Sequence, residues 1–134
     1  MGRKHVLDTH PLIWYLEGSP RLSNAAKAVM DDRASEVVLP LIALAEAVHI
    51  VDKGRTKIPS VSILLDRVQG DPRVEIYPLT FEVLQQSLAV RVVPEMHDRL
   101  IVATALHLQS LGDQVALLTK DPDITASALV PIIW

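Results

Sequence analysis

A chain of 134 residues, 49% hydrophobic and 22% charged, has room for one domain with a real core and none for a second module, and this composition excludes extended disorder. Without cysteine it can build neither a disulfide framework nor a thiolate metal site, so a reducing cytoplasm is the expected setting. The net charge of −3 does not advertise a nucleic-acid partner, the amino-terminal apolar stretch is too short for a secretory signal, and no run approaches membrane-spanning length.

In chain order, KHVLD predicts a strand ending at Asp8, and THPLIWYLEG, with Pro11 near its start and Gly18 at its end, predicts a helix. Ser23 caps a second helix reaching about Arg33. EVVLP reads as a strand, and from Pro40 a long helix runs to Gly54. Ser60 opens a further helix to about Gln69, broken by Gly70, Asp71 and Pro72, and VEIYPL is a third strand. Thr80 caps a helix with Glu82 in its first turn. A loop through Pro94 then precedes a helix from Asp98 to about Ser110, the strand VALLT, a short helix near Ile124 to Ala128, and a final apolar PIIW. Strands alternating with helices over residues 1–134 predict a single α/β domain with a central, mostly parallel, helix-covered sheet. Ligands of such sheets sit beyond the carboxyl ends of the strands.

Four acids stand out against this pattern. Asp8 in VLDTHPLIW and Asp121 in ALLTKDPDI follow strands, Asp98 in MHDRLIVATAL opens a helix, and Glu46 in PLIALAEAVHI lies inside an otherwise apolar one. Singly, each has a mundane reading. Asp8 and Asp98 suit helix N-caps, Asp121 and Asp123 of KDPD suit turns, and Glu46 suits the solvated flank of a mostly buried helix. Together they are harder to dismiss, because unrelated capping acids need not converge on one edge of a sheet. Two carboxylates about 4 Å apart repel by about 4 kcal/mol at an effective dielectric near 20. Four must therefore take up protons, spread apart or bind a cation. With oxygen ligands alone the fitting ions are Mg²⁺ or Mn²⁺, which polarise phosphoryl oxygens and activate water. Metal-assisted phosphodiester hydrolysis is the chemistry that suits the set. Leaving these acids out of the charge total makes the rest of the chain roughly neutral, with basic clusters at Arg3 and Lys4 and at Lys53, Arg55 and Lys57.

The chain resembles the PIN-domain ribonucleases and, within them, the VapC-type toxins of toxin–antitoxin pairs. LDTHPLIWYL resembles the family's opening strand with its first acid, Asp8, and the adjacent Thr9. LPLIALAEAVHI resembles the helix carrying the second, Glu46, and HDRLIVATAL the Asp-Arg segment carrying the third, Asp98. LLTKDPDI matches the Thr-x-Asp element with Thr119 and Asp121, and Asp123 as a further candidate. Where many VapC-type sequences carry Asp-Pro-Phe before the Asp-Arg pair, this one has Pro94-Glu95-Met96-His97. The resemblance implies a three-layer α/β/α PIN-like domain, a Mg²⁺- or Mn²⁺-dependent endoribonuclease acting on RNA, a homodimer, and a cognate antitoxin whose carboxyl-terminal segment blocks the site. It also implies Asp8 and Asp98 as direct metal ligands, and Glu46 and Asp121 as direct or water-mediated ones. Thr9 and Thr119 are expected to hydrogen-bond ligand carboxylates or phosphate, and Arg99 is a minor candidate for a phosphate contact.

The five histidines show no zinc-ligand spacing, and only His97, beside Asp98, invites attention. Trp14 and Tyr15 could stack on bases, although aromatic residues in a short apolar helix more commonly serve core or dimer contacts. Three alternatives remain. A receiver-like signalling domain needs paired acids after its first strand, where Asp8 is followed by Thr9. An Asp-x-Asp phosphatase is disfavoured by His10. The last is a PIN fold that binds RNA or a partner without cutting.

Overall fold

Strand β1 (Lys4–Leu7) hands the chain over at Asp8 to helix α1 (Thr9–Glu17), and this alternation recurs throughout. Helix α2 (Asn24–Asp31) leads to β2 (Glu36–Pro40), then α3 (Leu41–Asp52), α4 (Val61–Gln69) and β3 (Val74–Tyr77). Helices α5 (Phe81–Ser87) and α6 (Met96–Ser110) precede β4 (Val115–Leu118), α7 (Pro122–Ser127) and β5 (Ile132–Ile133). The structure is a computed structural model describing residues 2–134. The hydroxyls of Ser23, Ser60 and Thr80 accept the N–H groups of Ala26, Ile63 and Val83, capping α2, α4 and α5 where the sequence places caps. Gly18 ends α1 at φ 66°, a left-handed conformation that costs glycine least.

All five strands are parallel, in the order β3-β2-β1-β4-β5. Val6 and Leu7 in β1 and every residue of β4 are buried. Because consecutive strand residues face opposite sides of a sheet, both faces are covered, which gives the α/β/α layering. Helix α6 contributes Ile101, Val102, Ala105 and Leu108 to that core, each fully buried Leu or Ile adding about 1.5–3 kcal/mol.

The strand order also locates the site. From β1 the chain builds outward through β2 and β3, then crosses back to place β4 on the other side of β1. The direction of winding therefore reverses between β1 and β4, and a crevice opens there at the carboxyl ends. Flavodoxin-like receivers follow the order 2-1-3-4-5, so the topology removes the receiver alternative.

Two elements depart from the sequence reading. The terminal PIIW contains β5, whose Ile132 and Ile133 pair with Leu117 and Leu118. Helix α6 starts ahead of Asp98, because the Glu95 side chain accepts the Asp98 N–H at 2.9 Å and takes the N-cap role itself. Asp98 consequently sits in the first turn, and its mundane reading as a cap is wrong.

Elsewhere, Arg73 ties the start of β3 to the end of α2. Its guanidinium donates to the Asp71 carboxylate at 2.9 Å and to the carbonyls of Met30 and Asp32 at 2.6 and 2.8 Å. Phe81 and Leu84 on α5, Leu88 and Val92 in the segment after it, and Met96 at the start of α6 are exposed apolar residues.

Candidate active site

The β1–β4 register pairs Leu7 with Leu118, so the next residues along each strand, Asp8 and Thr119, leave the sheet side by side. The Asp8 N–H donates to the Leu118 carbonyl at 3.1 Å. Thr119, fully buried, donates its hydroxyl to Asp8 Oδ2 at 2.7 Å and accepts the Asp121 N–H at 3.0 Å. Thr9, also fully buried, donates its N–H to Asp8 Oδ1 at 2.7 Å and its hydroxyl to Glu46 Oε1 at 2.6 Å. Two threonines thus aim three carboxylate-bearing residues from β1, α3 and the β4–α7 turn at one place.

Helix α6 delivers the fourth. Asp8, Glu46, Asp98 and Asp121 all line one cleft of about 630 Å³, as convergence of the acids requires. Their charges are poorly compensated. Burial pushes the Asp8 carboxyl above its ordinary value, against the opposing hydrogen bonds from Thr119 and Thr9. Burial, then the charges of Asp121, Asp8 and Glu95, lift Asp98 to about 7.

Not every sequence candidate reaches the cleft. Arg99 is turned away: its Nε donates to the Val93 carbonyl and its terminal nitrogen to Arg91 at 3.4 Å, so it fastens the loop before α6. Asp123 is exposed in the first turn of α7, where its N–H donates to Asp121 Oδ1. That hydrogen bond makes Asp121 the N-cap of α7 and leaves Asp123 outside the lining.

Conversely, the cleft holds residues the acid pattern did not select. His10, Trp14, Glu95, His97 and Lys120 also line it. The His97 Nδ1 lies 2.5 Å from Glu95 Oε1. That bond raises the His97 pKa; burial pushes Glu95 up, but His97 and the Asp98 N–H outweigh it and hold it below the usual range. Lys120 could have been found from its place between Thr119 and Asp121, and Glu95 from its place before an apolar helix.

The donor set is oxygen-rich and carries more negative than positive charge, which fits a hard divalent cation: an ion would offset the repulsion that lifts Asp98. Among the described residues, no three acidic or histidine side chains already stand in a closed coordinating group. Mg²⁺ does not require one, since it keeps several waters and commonly uses one or two carboxylates.

The PIN domain family matches residues 5–128, and the chain belongs to that family. No curated protein matches it significantly by sequence. Among solved structures, its fold is similar to that of VapBC2 from Rickettsia felis bound to a promoter DNA fragment (TM-score 0.71, 15% identity, 96% of each chain covered). It is similar to FitAcB from Neisseria gonorrhoeae (TM-score 0.68, 20% identity, 96% of this chain and 95% of the other). A third similar structure is VapC20 of Mycobacterium tuberculosis, described as a sarcin-ricin loop cleaving toxin (TM-score 0.70, 15% identity, 97% and 99% covered).

Proposed function

We propose that this PIN-domain protein is a Mg²⁺- or Mn²⁺-dependent endoribonuclease, the toxin of a toxin–antitoxin pair. The observation that carries this reading is the meeting of Asp8, Glu46, Asp98 and Asp121, from four separate elements, in one cleft at the carboxyl edge of the sheet. Asp8 and Asp98 would hold the ion directly, and Glu46 and Asp121 directly or through water. When bound, the cation supplies charge for the scissile phosphate and lowers the pKa of water.

The remaining work falls to the chain's own residues. Thr9 and Thr119 lock the orientation of Glu46 and Asp8 by donating to one oxygen of each, so the carboxylates need little rearrangement when charge develops. Glu46, held through Oε1, keeps its other oxygen to accept a proton from the attacking water. The Glu95 cap holds the first turn of α6, and with it the position of Asp98.

The partners follow from the same features. The similar VapC20 is described as cleaving a sarcin-ricin loop, which supports RNA as the substrate. An acidic cleft suits an antitoxin segment bearing a basic side chain. The exposed apolar residues Phe81 and Leu84 on α5 and Leu88 at its C-cap suit a homodimer interface. No helix among the described residues is long and apolar enough to cross a membrane.

The test is cleavage of single-stranded and structured RNAs in Mg²⁺, Mn²⁺ or EDTA by the natural protein and by Asp8→Asn and Asp98→Asn. Cleavage should require the metal and both aspartates. Cleavage that survives chelation, or both substitutions, defeats the mechanism.

A further inference from the structure

We propose that Trp14, braced by His10 and Trp134, is a stacking platform for an unpaired nucleobase beside the acidic cleft, with Lys120 contacting the adjoining phosphate. This rests on the nuclease reading and extends it to how the substrate is gripped. His10 and Trp14 stand one helical turn apart on α1 and so share a face. Their ring centroids are 5.6 Å apart at 45°, and Trp14 and Trp134 are 5.8 Å apart at 54°. His10 lies two residues beyond Asp8, and Lys120 lies between Thr119 and Asp121, which sets the cluster against the carboxylates. His10, Trp14 and Lys120 all line the cleft.

Trp14 is not a sealed core residue. It is partly exposed, its indole N–H donates to no acceptor among the described residues, and it is not among the buried atoms lacking a partner. The N–H edge therefore reaches water while other parts of the ring pack against the core, and the exposed Lys120 lies over one ring face.

Electrostatics gives such a surface a purpose. A protein of net charge −3 with carboxylates lining its cleft repels a polyanion, and a bound cation offsets this only at the scissile phosphate. Affinity for flanking nucleotides must come from contacts that do not depend on bulk charge. Stacking is such a contact, tolerant of base identity because every base has a π-face. Lys120 is the one lysine or arginine among the described lining residues. Its Nζ sits 5.8 Å from the Trp14 ring centroid. An exposed cation–π contact is weak, so an arriving base can displace the ammonium toward its own phosphate.

The experiment measures binding in EDTA, where the proposed nuclease cannot turn over. Fluorescence anisotropy reports on labelled hexa-adenylate, an abasic ribose-phosphate hexamer and a blunt RNA duplex, and circular dichroism checks that each variant is folded. Hexa-adenylate should bind well above the other two. Trp14→Leu should weaken it by about 5- to 140-fold, the equivalent of ~1–3 kcal/mol per stacked base, and Trp14→Phe should retain most of the affinity. Lys120→Gln, an exposed change, should flatten the salt dependence of binding by about 0.7 in log–log slope. If Trp14→Leu does not fold, Trp14→Phe, the abasic hexamer and Lys120→Gln decide. Equal affinity for base-bearing and abasic hexamers, natural affinity in a folded Trp14→Leu, or an unchanged salt slope in Lys120→Gln overturns the proposal; a platform receiving a protein side chain instead would leave RNA affinity natural in Trp14→Leu. Metal-dependent cleavage without these binding effects leaves the nuclease reading intact, and the binding effects without any cleavage sink the nuclease alone.

Discussion

Replacing Asp98 with asparagine probes whether the cleft is arranged around a charge it cannot neutralise by itself. Burial and the neighbouring Asp121 and Asp8 lift this carboxyl from an ordinary 3.8 to about 7. A folded-state pKa above the unfolded one means that the native protein holds the proton more tightly. The stability tied to that proton is complete below about pH 3.8 and is lost as pH rises through about 7. At ~1.4 kcal/mol for each pH unit the ceiling is ~4 kcal/mol, and because Asp98 is only half-buried, solvent screening brings the expected value to ~2 kcal/mol. Asparagine mimics the neutral carboxyl without titrating. Urea unfolding in EDTA should therefore find Asp98→Asn and the natural protein alike near pH 4, and the variant more stable by ~2 kcal/mol at pH 8. Millimolar Mg²⁺ should then raise the natural protein at pH 8 and leave the variant little changed. Parallel stability curves from pH 4 to 8 would refute the reasoning.

Other residues carry separate expectations. Thr119→Val removes the hydroxyl that orients Asp8 and accepts the Asp121 N–H; metal affinity measured by calorimetry should fall about 10- to 100-fold, with the melting curve shifting modestly. Arg73→Ala frees the carbonyls of Met30 and Asp32 and the Asp71 carboxylate, and urea unfolding should register a loss of ~2 kcal/mol with RNA cleavage unchanged. Leu84→Lys places a charge among the exposed apolar residues of α5; light scattering should find the natural protein at the mass of the proposed dimer and the variant at that of a monomer.

Most of the architecture was legible because its local causes are strong. Pro11 and Gly18 bracket α1, Ser23, Ser60 and Thr80 cap three more helices, and uninterrupted apolar runs such as VALL mark strands covered on both faces. The β5 strand escaped because its two residues, Ile132 and Ile133, are too few to show periodicity; only pairing with β4 defines them. The start of α6 was misplaced because a glutamate is a less usual cap than the aspartate three residues on. The acids were visible as misfits in apolar surroundings, but their mutual geometry was not, since it depends on the winding reversal between β1 and β4. Arg99 and Asp123 show the converse limit: both are adjacent in sequence to site acids, and helix geometry points each elsewhere. Lys120 and Trp14 were visible as residues and silent as neighbours, because the cluster they form depends on how α1 meets the end of β4.

The most direct measurement is Mn²⁺ binding followed by electron paramagnetic resonance, titrated into the natural protein and into Asp8→Asn and Asp98→Asn. The natural protein should bind Mn²⁺ stoichiometrically, with Mg²⁺ competing, and each variant should lose that binding while remaining folded. A natural protein that leaves Mn²⁺ free in solution, or variants that bind it as well as the parent, would contradict a site in which these carboxylates together hold the ion.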